Sequence, residues 1–156
     1  MFDAILQRFV QWCYYSKDYA FIRDSKYGIP ILQSLHLTGI TLLLGTTLIL
    51  NLSLLGVGFK RLPLPVLSEQ LWPWMKAALA LTICAGIMVF LPDPTRYAHS
   101  GPFRLKMLLL CLALLYHFTV FKKTLRKDQG NTTVATISLL LWFGVGWSGR
   151  AIAFFQ

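Results

Sequence analysis

The sequence predicts an all-α integral membrane protein: a four-helix bundle preceded by a short amphipathic helix on the bilayer surface. Three observations predict it. Charged residues are 13% of the 156-residue chain and hydrophobic ones 56%, whereas about a quarter of a soluble domain is charged. The apolar residues gather into four long runs, the pattern of spanning helices. The basic residues behind the net charge of +9 bunch at the ends of those runs, as Lys60-Arg61, Arg104 with Lys106, Lys122-Lys123 and Arg126-Lys127. Flanking charges of this kind set topology and meet anionic headgroups. They do not form the continuous basic face that nucleic acid requires, so nucleic acid is excluded as a partner and the lipid bilayer is the expected one.

Residues 1–26 mix aromatics with charges, and Phe2, Ile5, Leu6, Phe9, Val10 and Cys13 recur at helical spacing. This predicts a helix lying in the interface or packed on the protein itself. Acidic Asp3 and the lack of an uninterrupted apolar stretch argue against a signal peptide. The first span is expected over 27–59, where no charge interrupts the run, and Pro30 falls in its opening turn. The second is expected over 71–91, opened by Trp72-Pro73-Trp74 and closed by Pro92-Asp93-Pro94. The third, over 102–121, has Pro102 placed to start a helix, and the fourth covers 133–155. Short connections make neighbouring helices antiparallel, and residues 1–156 read as a single membrane domain. Both termini then share one side, and the fifteen basic residues divide eight to seven between the sides. The seven are concentrated in short loops, which the positive-inside rule weighs most. The expectation is a bacterial inner-membrane protein with both termini periplasmic.

Ionisable residues inside spans are costly and are functional candidates for that reason. They are His36, Lys76, His117 and Arg150, with Lys106 near a boundary and His99 just outside. Counted from Lys26 and Lys106 as boundary markers, His36 and His117 both lie about 15–17 Å deep, which permits a shared ligand. Counted from Lys60 and Lys122 the depths disagree, and a His36–His99 pairing is the alternative. Lys106, Leu110, Ala113 and His117 share one face of the third helix, and Leu139, Phe143, Gly146 and Arg150 one face of the fourth. Gly146 would let a flat macrocycle approach, and Lys106 and Arg150 would meet haem propionates. Two imidazoles, small residues and terminal cations match a b-type haem site in a helix bundle, with His36 and His117 as iron ligands and Gln33 orienting His36.

Each of these residues also has a plainer role. His36 can hydrogen-bond a neighbouring helix, His117 can sit at headgroup level, and Lys76 and Arg150 can snorkel. The stripe Ser34, Thr38, Thr41, Gly45 reads first as a close-packing face. Cys84 and Cys111 fall in apolar runs and read as packing residues. No CxxC or CxxCH occurs, so thiol redox pairs and covalent haem attachment are excluded. The three scattered histidines do not make a zinc site, whereas a surface copper site using His99 stays open.

The segments Ile22-Arg-Asp-Ser25, Tyr27-Gly-Ile-Pro30, Leu35-His-Leu-Thr-Gly39, Gly45 and Leu54-Leu-Gly56 resemble a group of uncharacterised bacterial four-span membrane proteins, a domain of unknown function. Phe90-Leu-Pro-Asp-Pro-Thr-Arg-Tyr97 and Phe103-Arg-Leu-Lys-Met107 continue the resemblance, which covers residues 20–155 and implies no activity. Asn51 and Ser53 stand where that pattern would have Asp and Arg, so an anchor that pair might form is altered in this chain. A looser similarity, in helix count and histidine placement alone, is to copper-resistance D and cytochrome b561-like four-helix proteins. Two functional classes follow. One is an electron-transfer subunit holding haem b in a membrane redox complex. The other is a non-enzymatic subunit that packs against other membrane proteins or a second copy and contacts lipid or pigment. A copper-handling role is a third, and none of them is catalytic by itself.

Overall fold

The computed structural model describes residues 8, 25–57, 62–91, 101–127 and 130–152. The expected N-terminal surface helix, apart from Arg8, and the 92–100 segment with Tyr97 and His99 lie outside the described residues. Four long helices follow in order: α1 Gly28–Leu54, α2 Leu64–Phe90, α3 Gly101–Leu125 and α4 Thr132–Ala151. Among the described residues there is no strand. Each helix is long and apolar enough to cross a membrane. Even α4, with 20 residues, rises about 30 Å, the thickness of the hydrocarbon layer.

The helix ends follow from local chemistry. At the start of α1 the Ser25 hydroxyl accepts the Gly28 N–H at 3.2 Å, and Pro30 occupies a first-turn position that needs no donor. Its end comes at Leu54 rather than at 59. Gly56 takes φ +74°. The Gly56 and Val57 N–H groups donate back to Ser53 O and Leu52 O, the paired bonds that close a helix through a left-handed glycine. Helix α2 begins seven residues before the expected start. Pro63 and Pro65 occupy its first turn, where a missing N–H costs nothing. The helix then runs on through the Trp72-Pro73-Trp74 stretch that was expected to open it. Polar Glu69 and Gln70 had masked this turn in the hydrophobic pattern. At α4 the Asn131 side chain accepts the Val134 N–H at 3.0 Å and so sets the helix start.

Helix α3 is α-helical over Gly101–Tyr116, passes through a π-helical turn at His117–Phe121, and resumes over Lys122–Leu125. Helix α1 packs mainly on α2 and also on α4, and α4 packs on α3. Two apolar layers fill the interior. One, toward the 55–63 and 126–131 connections, joins Leu50, Leu54, Leu64, Leu67, Phe121, Leu125, Val134 and Ala135. The other, at mid-height, joins Leu43, Met75, Ala78, Ala113 and Trp142. The outer surface stays apolar too: Leu108, Leu140, Phe143 and Trp147 are exposed. A protein apolar outside as well as inside suits lipid, not water.

Several side chains face the other way from their expected orientation. Cys84 and Cys111 are free and exposed on the outer surface rather than packed inside. Phe143, Gly146 and Arg150 face outward, and nothing lies within 4 Å of where a Gly146 side chain would begin. The inward face of α4 is instead Ala135, Ser138, Trp142 and Ser148. Ser34, Thr38, Thr41 and Gly45 also face out of the bundle.

Candidate functional site

His36 lies between α1 and α2. Its Nδ1–H donates to the Thr82 carbonyl at 2.8 Å, and this bond fixes the tautomer, because a carbonyl can only accept. Nε2 is therefore the ring's acceptor. The ring rests on Gly86, where a Cβ would stand 2.9 Å from His36 Cε1, closer than packed atoms allow. One turn along α1, Gly39 permits the same approach: a Cβ there would meet Thr82 Oγ1 at 2.6 Å and Thr82 N at 2.9 Å. The Thr82 hydroxyl is itself held by Ala78 O at 2.8 Å. A histidine facing a glycine, and a glycine facing a threonine one turn away, clamp α1 onto α2.

Lys106 reaches this end of the bundle from α3. Its side chain lies over Gly149 of α4, with Nζ 3.7 Å from where a Cβ would be. Glu69, near the opposite end of α2, is the one carboxylate among the described residues. Gln33 is exposed, and the orienting role expected of it belongs to Thr82. Arg150 is exposed beside Gly149, and Lys76 is exposed on α2.

His117 occupies a different level. It stacks on Trp72 at 5.9 Å and on Phe121 at 4.8 Å, and meets Phe118 and Trp142 edge-on at 5.9 and 6.2 Å. The Lys122 ammonium lies 4.7 Å over the outer partner, Trp72. His117 is 3% exposed, and among the described residues neither ring nitrogen has a hydrogen-bond partner. His36 touches Thr82 and Gly86, and His117 touches Trp72, so at least ten residues of α2 separate them, about 15 Å along the axis. The structure does not bring the two rings to a common ligand, for which metal–nitrogen bonds of about 2 Å would be needed. The two depths coincided in the sequence only because Lys106 was taken as a boundary marker. It lies five residues into α3, with its side chain against Gly149 of α4. Among the described residues no three His, Cys, Asp or Glu side chains converge on one point.

Asn51 completes the interior polar set. It is fully buried; its amide donates to Thr47 O at 2.8 Å and to Ser138 Oγ at 3.2 Å, tying α1 to α4. The sequence signal for it was an amide in an apolar run, noticed only as a departure from a family pattern. Thr82 and Gly86, at i and i+4 on α2, had no such signal, because small residues are common on membrane helices for packing alone.

One family model, described as "Family of unknown function (DUF6644)", matches residues 9–155. No curated protein and no solved structure matches the chain significantly.

Proposed function

The chain belongs to that family of unknown function, which brings no activity with it, and we propose from its geometry that it is a small non-catalytic subunit that assembles with other membrane helices. The observation behind this reading is the outer face of α1. Leu37, Thr38, Thr41, Leu42, Gly45, Thr46 and Ile49 line an open groove of about 600 Å³. The Ser34, Thr38 and Thr41 hydroxyls each bond a carbonyl one turn back at 2.9 Å, so they present small, satisfied surfaces. Nothing lies within 4 Å of the missing Gly45 side chain. In lipid, apolar surface alone does not drive helices together. Close approach at small residues does, and among the described residues this face meets no other helix.

In this reading the protein sits in the bacterial inner membrane with both termini periplasmic, and contacts lipid over the rest of its surface. Cysteines placed singly at 99 and 127 in a Cys13→Ser/Cys84→Ser/Cys111→Ser background test the orientation. An impermeant thiol reagent on intact spheroplasts should modify position 99 and spare position 127, and the opposite result reverses the orientation. Assembly is tested by native electrophoresis and by crosslinking from a cysteine at position 41. A second copy or a second membrane polypeptide should be captured, and Gly45→Leu with Thr38→Leu should abolish capture while the helical spectrum is kept. A chain that stays monomeric in nanodiscs and captures nothing in native membranes overturns the reading.

The second reading is a b-type haem electron-transfer subunit. It is favoured by His36, whose Nδ1–H is held by a carbonyl, which leaves Nε2 for an axial bond. Its second iron ligand would have to come from a residue other than His117. A Soret band in purified protein, lost in His36→Ala and kept in His117→Ala, supports it. A colourless protein isolated from haem-replete cells removes it.

A further inference from the structure

Three buried polar atoms are left without partners among the described residues: Asn51 Oδ1, His117 Nδ1 and His117 Nε2. They lie in one layer. Lys106 of α3 packs on Gly149 of α4, and the two helices run antiparallel. Eleven residues on from Lys106 is His117, and eleven back from Gly149 is Ser138, the residue bonded to Asn51. Phe121, stacked on His117, packs with Leu50 and Leu54, which flank Asn51 on α1. We infer that this layer, between α1, α3 and the middle of α4, is an internal binding site for ordered water, held between Asn51 and His117.

The donor count selects the occupant. Both amide hydrogens of Asn51 are used, on Thr47 O and Ser138 Oγ. Flipping the amide would set its oxygen against the Thr47 carbonyl, so Oδ1 faces the layer as an acceptor. Neutral His117 offers one N–H and one lone pair. The unmet groups are therefore two acceptors and one donor, on two side chains in apolar surroundings. An anion would find too few donors. A cation would meet two neutral ligands and, among the described residues, no carboxylate, because Glu69 is exposed elsewhere on α2. A water donates to Asn51 Oδ1 and bonds one His117 nitrogen, the other nitrogen lying on the far edge of the ring, and buried waters are found where polar groups would otherwise be orphaned. The π-helical turn begins at His117. Such turns interrupt the regular ladder and recur at functional positions in helices, and this one presents the imidazole inward at the level of Asn51.

The test uses the full chain in nanodiscs and three variants, His117→Phe, Asn51→Leu and the double. Each single change removes one side of the water site and strands the other, so Tm should fall by about 3–10 °C. The double removes both sides, and its fall should be clearly less than the sum of the two. Additive losses overturn the inference. If a single variant does not fold, a folded double variant still reports the coupling, and a double that also fails to fold counts against it. A structure at better than about 2.3 Å resolution should show a solvent peak within hydrogen-bond distance of Asn51 Oδ1 and of one His117 nitrogen. A dry layer with His117 turned to bond Asn51 directly overturns it. So does a Tm that drops on treatment with chelators, which would place a metal there.

Discussion

Gly86 sets how closely the His36 ring can approach α2. A Cβ at that position would lie 2.9 Å from His36 Cε1 and 3.3 Å from Nδ1, so the imidazole would have to leave or α1 would have to retreat. Gly86→Ala should therefore destabilise the protein by about 1–3 kcal/mol, the usual cost of overpacking. His36→Ala should cost less, about 1 kcal/mol, because it removes one interhelical hydrogen bond and adds no clash. Chemical or thermal denaturation of the three proteins in the same detergent checks the order. A Gly86→Ala protein as stable as the parent would show that the ring has room to move. His36 itself was legible in the sequence as an imidazole deep in an apolar run. Its partner was not, because the partner is a backbone carbonyl, and every residue has one. Gln33 looked the better partner one turn away, but that position faces outward.

At the scale of elements, the helix ends depend on a few specific residues. Gly56 ends α1 with φ +74°, a conformation that any side chain makes costly. Gly56→Ala should lower stability by about 1–2 kcal/mol. Asn131 caps α4 through the Val134 N–H, and Asn131→Ala should cost about 1 kcal/mol, with Asn131→Ser recovering most of it. If Asn131→Ser is as unstable as Asn131→Ala, the side-chain bond is not what stabilises that end. Four spanning helices could be read from the apolar runs, and Pro102 correctly marked the start of α3. The misjudged ends had different causes. The hydrophobic run continues past Gly56, so only the left-handed turn reveals the stop. In α2 the aromatic Trp72 resembled an interfacial anchor, yet it stacks on His117 inside the bundle. The π-helical turn has no sequence signature, because it depends on hydrogen-bond register and not on residue type. It is also the feature that places His117 against Trp72, Phe121 and Trp142, so the neighbourhood of that histidine could not be read in advance.

At the scale of the whole molecule, the decisive feature is that apolar side chains point outward around the bundle as well as inward. Cys84 and Cys111 report on it directly. Both are free and exposed on helices α2 and α3. In water, exposed thiols would react readily, since the attacking species is the thiolate and water stabilises it. In a bilayer the same positions face hydrocarbon. Cys111 is ten residues from the start of α3 and fourteen from its end, about 15 Å and 21 Å at 1.5 Å per residue. A charged reagent does not reach that depth, because moving an ion into apolar surroundings is costly. An impermeant charged methanethiosulfonate should therefore leave Cys111 unmodified in sealed or opened native membranes, and modify it fully once SDS unfolds the protein. Cys84 is six residues from the end of α2, about 9 Å, and should react slowly and only from the side on which α2 ends. Mass spectrometry of the peptides that contain Cys84 and Cys111 separates them. Rapid modification of Cys111 in intact membranes would mean that the outer surface of α3 meets water, and α3 would then have to line an aqueous path or stand outside the bilayer.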